Sequence, residues 1–437
     1  MKQKLFVMSM DAMVREDVAY MMTKPNFAKI MARRAEVDKV CTIYPSMTYP
    51  AHTSILTGCR PGKTGVYLNS RIKTVKDSYV HWPLESRHVR VENLFAAAKR
   101  AGCTTASVFW PITACDKNID HVINEYFFYL PDEDVEEAFA RQGASEEALA
   151  AVRENMHRFR KSKRAKGTGP NLDNTMDDFI MGCTCSLIRN CKPDVLLLHN
   201  CYLDSTRHYY GAFAPEVKNN ALDQMDVWLG EVLQAMEDAG GYEDVNFVIL
   251  SDHGQMDFDR YTRLNVLLQQ GGFIDLAPDG SVYEWRAFCK GGMSATVVLT
   301  DPNYEPLKQE VYAYLQELAK DERWGIEQIF TVEETKELYG TYGTFSFMVE
   351  GDGHTTFTDD WHGEPSVPVE AVEGYRAKHG YRPEKGPQPI FLAAGPAFRP
   401  GAVVARASVI DEAPTLAAVL GQTMPEAEGR VLHELLV

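Results

Sequence analysis

Short apolar runs that break off in acidic or imidazole side chains constrain this chain more than any other feature. Lys4–Met10 is followed at once by Asp11. Asp194–His199 (DVLLLH) is followed by Asp204, and Asn246–Leu250 (NFVIL) by Ser251-Asp252-His253-Gly254. Pro389–Ala394 (PIFLAA) is a fourth run of the same kind. A continuous apolar run suits a parallel strand covered on both faces, not a strand with one wet face. Helical patterns lie between the runs, at Val91–Ala101 and Asn220–Ala239. The alternation predicts an α/β fold built on a doubly wound, mostly parallel sheet. Ligands of such sheets bind beyond the carboxyl ends of the strands, and there Asp11, Asp204, Asp252 and His253 fall.

The chain has 437 residues, enough for one large α/β domain with insertions or for two domains. At 45% hydrophobic and 24% charged it can bury a sizeable core and is not broadly disordered. A net charge of −16 argues against binding a nucleic-acid polymer, which needs a basic surface. A small phosphorylated substrate stays possible, because bound metal ions reverse the local field. The apolar part of the N-terminus, Leu5–Met10, is too short for a signal sequence, and no stretch approaches a membrane helix. No membrane association and a cytoplasmic setting are expected. Nine irregularly spaced cysteines fit free thiols, and Cys183-x-Cys185 lacks the second pair that a metal knuckle requires.

Two segments interrupt the alternation. Residues 131–182 are charged and helix-like, with Lys161–Gly169 (KSKRAKGTG) read as an exposed loop. Residues 258–375 hold a helical pattern at Leu307–Lys320 and strand patterns at Ala295–Leu299 and Thr344–Val349. They read as an α+β cap inserted into a catalytic core made of residues 1–257 and 376–437. The cap leaves the core just after His253 and returns just before His379, so it is expected to form a lid, with Tyr342, Phe345 and Phe347 packing in it or shaping specificity.

Catalytic zinc takes His nitrogen and carboxylate oxygen and keeps a position open. Asp252-His253 is an adjacent pair after a strand, Asp204-x-x-x-His208 is a helical pair, Asp11 stands alone and His379-Gly380 comes late. Three carboxylates and three imidazoles suffice for two ions able to clamp the attacking and leaving oxygens of an in-line displacement. Taken singly, the DH pair also fits a buried hydrogen-bonded pair, and D-x-x-x-H also fits one exposed helix face. His81, His88, His121, His157, His199 and His433 read as surface or packing residues. Thr48 lies in YPSMTYPAHTSILTG, just before a helical pattern that starts at Ser54. A helix N-terminus favours an anionic phosphoryl group, and a nearby metal would activate the Thr hydroxyl as a nucleophile. A helix-capping hydroxyl is the plain alternative.

Together these segments resemble the nucleotide pyrophosphatase/phosphodiesterase branch of the alkaline phosphatase superfamily. VMSMDAM, PSMTYPAHTSILTGCRPGKTGVYLN, VFWP, LHNCYLDSTRHYYG, VILSDHGQM, KHGY and IFLAAGPAF occur in the family's order over residues 4–398. The resemblance implies an alkaline-phosphatase-like fold and two divalent ions, zinc foremost. One would sit on Asp11, Asp252, His253 and Thr48, the other on Asp204, His208 and His379. It further implies Asn69 as an amide donor to a phosphoryl oxygen, and Tyr49 and Trp110 as substrate contacts. Ala51 replaces the family's asparagine, Tyr202-Leu203 its Glu-Pro, and Ile112 the glycine of FWPG.

The expected reaction is hydrolysis of a phosphodiester or phosphoanhydride through a phospho-threonine, with a small nucleotide-type substrate. A phosphonoacetate-hydrolase-like cleavage of a carbon–phosphorus bond is the rival. A non-catalytic metal- or phosphate-binding protein is the reading from another class. Cys59-Arg-Pro-Gly-Lys63 misses the sulfatase C-x-P-x-R motif and does not stand at the nucleophile. No arginine lies beside Thr48, Arg60 being twelve residues on, which favours a diester over the doubly charged monoester; Arg207 is the residue that could change this.

Overall fold

The computed structural model describes residues 3–70, 82–125, 134–159 and 175–437. His81 and the basic run Lys161–Gly169 lie outside these. Six strands, β1 (Lys4–Met10), β2 (Ala35–Cys41), β3 (Thr105–Val108), β4 (His121–Ile123), β5 (Val195–Asn200) and β6 (Val245–Leu250), join the strands Phe391–Ala394 and Val403–Ser408 in one eight-stranded sheet. Its order is Val403–Ser408, β2, Phe391–Ala394, β6, β1, β5, β3, β4.

The apolar runs are strands for a simple reason. Successive side chains point to opposite faces, and here each face meets its own core. Phe6, Met8 and Met10 of β1 join Leu196, Leu198 and Ile249 under the helices Pro25–Met31, Thr175–Asn190 and Asp223–Asp238. Leu5 and Val7 join Leu197, Val248 and Leu250 under the helices Thr48–Thr57, Leu94–Arg100 and Glu412–Val419. Each fully buried Leu, Val or Phe contributes about 1.5–3 kcal/mol, and a one-residue slip would move every one of them to the wrong face. The register holds β1 parallel to both neighbours, with Ser9 opposite His199 of β5 and Leu250 of β6.

Two expectations need correction. The fourth apolar run is a strand only over Phe391–Ala394, and it runs antiparallel to β2 and β6. The chain returns from the inserted segment past His379, at the carboxyl edge of the parallel strands, so it can enter the sheet only in the opposite sense. The helix after β2 begins at Thr48 itself, not at Ser54, with Met47 as its N-cap and no side-chain cap bond. The Thr48 hydroxyl is therefore not a helix cap.

Residues 258–375 form small sheets of their own. Ala287–Lys290, Ser294–Leu299, Phe347–Gly351 and Ile326–Thr331 make a four-stranded antiparallel sheet packed on the helix Glu305–Leu318. At the neck, Met256–Asp257 pairs with Ala377–Lys378, so the outgoing and returning chains are clasped together. Phe345 and Phe347 are buried in the core of this segment. Cys183 and Cys185 are buried, and all nine cysteines are free thiols. No helix among the described residues is long and apolar enough to cross a membrane.

Candidate active site

The candidate residues come together at the carboxyl edge of the parallel strands. Asp11 directly follows β1, Asp204 and His208 lie on the helix Tyr202–Tyr210 after β5, and Asp252-His253 follows β6. Thr48 opens the helix after β2, and His379 follows the clasp strand Ala377–Lys378. Two glycines permit this. A Cβ at Gly254 would lie 2.4 Å from the Pro387 carbonyl oxygen, so no larger residue fits after His253. Gly380 has φ of +102°, and its N–H donates to Ser46 Oγ at 3.1 Å, which turns the chain immediately behind His379.

His253 Nε2 lies 3.2 Å from Thr48 Oγ1, 3.0 Å from Asp252 Oδ2 and 3.6 Å from Asp11 Oδ1. Two ligand atoms bound tetrahedrally at zinc distances stand about 3.3 Å apart, and the observed edges bracket that value. Asp11 Oδ1 is buried and accepts no hydrogen bond among the described residues. In the second group, His208 Nε2 is 3.3 Å from Asp204 Oδ2, and His379 Nε2 is 3.9 Å from Asp204 Oδ1. His208 Nδ1 donates to the Ala377 carbonyl at 2.7 Å, and His379 Nδ1 to the Ser46 carbonyl at 3.0 Å. A carbonyl can only accept, so each ring keeps its proton on Nδ1 and presents the Nε2 lone pair to Asp204, as a metal ligand must. The rings of His253 and His379 stack at 3.9 Å, joining the two groups.

The electrostatics also call for cations. Burial, then the charges of Asp252 and Asp204, push Asp11 well above the usual carboxylate range. Burial raises Asp204 as well, against the pull of His379 and His253. Burial would raise Asp252 too, but His253 and His52 beside it hold it well below. Burial brings His208 down to about 3 and drives His379 well below its ordinary value, so both imidazoles are neutral. Burial would lower His253 as well, but the charge of Asp252 beside it raises it; three crowded buried carboxylates with the neutral His208 and His379 fit divalent ions, which would neutralise the repulsion. Asp11, Asp252, His253 and Thr48 would hold one, and Asp204, His208 and His379 the other.

Asn69 Oδ1 accepts the Tyr49 N–H at 2.9 Å. The oxygen of the amide is thereby fixed at the helix start, and its NH₂ is the end left for a ligand. Asn69, Tyr49 and Thr48 line a cavity of about 390 Å³ together with Asp11, Asp204, His208 and His379. Trp110 does not line it. The indole is fully buried, edge-on to His52 at 5.1 Å, and so supports the floor of the site rather than a substrate. Trp82, 4.9 Å from the Tyr49 ring, lines the cavity instead. Ile112, where a glycine was expected, holds φ of +59°, a left-handed conformation costly for a β-branched residue. Arg207 is buried in an ion pair with Asp17 and donates to the Ala212 carbonyl, away from the cavity. Tyr342 packs over Gly62 and does not line the cavity that holds Thr48 and His379.

Several residues escaped sequence reasoning. His199, read as a surface or packing residue, is buried, with Nε2 2.9 Å from Asp11 Oδ2. Its place at the carboxyl end of a parallel strand was the available signal. His52, one turn after Thr48, donates from Nδ1 to the Thr48 carbonyl at 2.9 Å and accepts from Ser9 Oγ at 2.8 Å. Glu125 lines the cavity floor; burial pushes its carboxyl up to about 8, against a hydrogen bond from Tyr49. Lys290, Gly291, Gly292, Tyr375 and Lys378 form the wall on the side of the inserted segment. Burial lowers the Lys378 ammonium from its ordinary value, with Asp359 pulling the other way.

A large, mostly parallel sheet flanked by helices, with these residues at its carboxyl edge, is an alkaline-phosphatase-like fold. The Type I phosphodiesterase / nucleotide pyrophosphatase family model matches residues 5–382, and the chain belongs to that family. A bis(5'-adenosyl)-triphosphatase of Pongo abelii is 22% identical over 293 residues, 64% of this chain and 54% of that protein. An uncharacterized pyrophosphatase/phosphodiesterase of Schizosaccharomyces pombe is 23% identical over 57% of this chain and 44% of its own length. The chain thus spans about half the length of these curated relatives. Human ectonucleotide pyrophosphatase/phosphodiesterase 5 superposes with a TM-score of 0.66 at 18% identity, covering 99% of this chain and 100% of that one. An inactive threonine-to-alanine variant of the murine protein, in complex with AMP, gives a TM-score of 0.66 at 17% identity with both chains fully covered.

Proposed function

We propose that the protein hydrolyses phosphodiester or phosphoanhydride bonds of small nucleotide-type substrates through a covalent phospho-threonine on Thr48. The observation that carries this reading is the convergence of Thr48 Oγ1 with His253 Nε2 at 3.2 Å, beside Asp252 and the unpartnered Asp11 Oδ1. Two divalent ions on the ligands above, zinc by their chemistry, would lower the Thr48 hydroxyl pKa and neutralise charge on the leaving oxygen. Thr48 Oγ attacks phosphorus, the bond to the leaving oxygen breaks, and water later displaces Thr48 to release the phosphorylated product. The first turn of the helix Thr48–Thr57 directs its positive end at the phosphoryl group. Asn69 donates its NH₂ to a non-bridging oxygen. Trp82, packed 4.9 Å from the almost wholly buried Tyr49 ring, gives an apolar surface to the substituent that stays on phosphorus.

With Arg207 held by Asp17, no arginine among the described residues lines the cavity, which favours a singly charged diester over a monoester. The test compares kcat/KM for an aryl phosphodiester and the matching monoester, in the parent protein and in Thr48→Ala. The diester should be preferred, and Thr48→Ala should lower turnover by about 10³-fold or more. A clear monoester preference would overturn the substrate reading, and near-normal turnover in Thr48→Ala would remove Thr48 from the chemistry.

A further inference from the structure

The carboxylate of Glu350 is fully buried in the inserted segment and does not line the cavity, yet it joins both loops that carry the chemistry. It stands on the strand Phe347–Gly351, opposite Ser294 of the neighbouring strand. Oε2 accepts from the Tyr44 hydroxyl at 2.9 Å and from Ser294 Oγ at 2.5 Å. Oε1 accepts from the Arg382 N–H at 3.2 Å and lies 3.0 Å from the Lys385 ammonium. An ionised carboxylate offers about four acceptor positions, so this one is fully used.

The two loops are those of the nucleophile and of a metal ligand. Tyr44 comes four residues before Thr48, and Arg382 three residues after His379. The Tyr44 ring is buried in the core of the inserted segment, 4.6 Å from Tyr339 and 6.1 Å from Phe330, and Thr341 Oγ1 donates to its carbonyl. The chain ahead of the nucleophile is thus plugged into the segment. The loops also bond to each other: His379 Nδ1 donates to the Ser46 carbonyl at 3.0 Å, and Ser46 Oγ to the Tyr381 carbonyl at 2.9 Å. Glu350 fastens both of them to one strand of the segment. A buried ion pair such as Glu350–Lys385 adds little to stability over apolar side chains of the same volume, because desolvation offsets the attraction. What it supplies is a fixed position.

We propose that Glu350 is a positioning residue: it locks the loop that carries Thr48 to the loop that carries His379, so that the inserted segment sets the distance between the nucleophile and the second ligand group. This rests on the hydrolase reading and deepens it. Glu350 acts through Tyr44 on Thr48 and through Arg382 on His379. A misplacement of about 1 Å at a reacting group costs about 10²-fold in rate, so a slack lock is read in turnover before it is read in substrate binding.

The lock is tested on zinc-loaded protein with an aryl phosphodiester, well below the melting temperature. Tyr44→Phe keeps the ring in its packing and removes the hydroxyl; kcat should fall about 10-fold or more, with KM within about threefold of the parent. Glu350→Gln keeps the volume and removes the charge; kcat should fall about 10- to 100-fold. The visible absorption of cobalt-loaded Glu350→Gln should also change, because His379 shifts against Asp204 and His208 and the ion's geometry follows its ligands. The double variant should lose no more than Glu350→Gln alone, since both cut the same link. Ser294→Ala removes a bond of the same carboxylate that reaches neither loop, and its kcat should stay within about threefold of the parent. A kcat for Glu350→Gln within about threefold of the parent, additive losses in the double variant, or equal damage from Ser294→Ala and Tyr44→Phe would overturn the lock. Failure of the parent protein to cleave the diester would overturn the hydrolase reading instead, and the cobalt spectrum then decides the lock, an unchanged spectrum in Glu350→Gln refuting it.

Discussion

Asn69→Asp separates two jobs that one side chain performs. Asn69 Oδ1 accepts the Tyr49 N–H at 2.9 Å, and the NH₂ at its other end is the group left to meet a phosphoryl oxygen. Aspartate is nearly isosteric and keeps an oxygen for the Tyr49 N–H, so the helix start and the stability should be preserved. It removes the donor, and loss of one such donor costs about 10²–10³ in turnover. It also turns a carboxylate oxygen toward an anion. At about 4 Å and an effective dielectric of ~20 the repulsion reaches about 4 kcal/mol before protonation relieves it. The total loss in kcat/KM should therefore exceed about 10³-fold. Asn69→Ala, by contrast, loses the donor without adding the charge, and it leaves the Tyr49 N–H uncapped at about 0.5–2 kcal/mol in stability. The two variants should thus rank in opposite order, Asp worse in activity and Ala worse in stability. The assay is kcat/KM on an aryl phosphodiester at matched metal content, beside denaturant unfolding. Activity of Asn69→Asp within tenfold of the parent, or Asn69→Ala the more damaging to catalysis, would refute the assigned roles.

Two further outcomes are expected. Protein purified without chelator should carry two divalent ions per chain; stripping them should abolish turnover and lower the melting temperature, because Asp11, Asp204 and Asp252 are then left to repel one another, and zinc should restore both. A preparation fully active with one ion or none would contradict the two-ion site. The metal-free protein should also lose stability as the pH falls below 6.5. His208 binds its proton only near 3 when folded but near 6.5 when unfolded, so acid favours the unfolded chain through that window and the stability is fully present only above it. At pH 5 the loss is about 2 kcal/mol from this residue, and urea unfolding of the stripped protein at pH 7 and pH 5, with His208→Asn flattening the difference, checks it.

The sequence by itself determined the local elements and the chemistry of the ligands. The apolar runs of β1, β5 and β6 and the Asp or His residues that end them were legible because strand burial is written in consecutive residues, and so was the interruption at 258–375. The family resemblance carried by the order of the motifs was enough to single out Asp11, Thr48, Asp204, His208, Asp252, His253 and His379, which the fold brings to one edge of the sheet. What only the tertiary structure decided concerns direction and company. The antiparallel sense of Phe391–Ala394 depends on which edge of the sheet the chain returns to, and no local pattern carries that. That Trp82 and not Trp110 lines the cavity was decided by packing, because an aromatic's motif says nothing about whether its ring ends under or over the helix Thr48–Thr57. His199 read as a surface or packing residue, and His52 drew no reading, until the sheet order brought β1, β5 and the helix Thr48–Thr57 together around Asp11 and Asp252. Lys290 and Lys378 lie 88 residues apart in the chain and meet across the cavity only because the clasp at 256–257 and 377–378 folds the inserted segment back over the carboxyl edge, where long-range pairing, not sequence spacing, sets the distances.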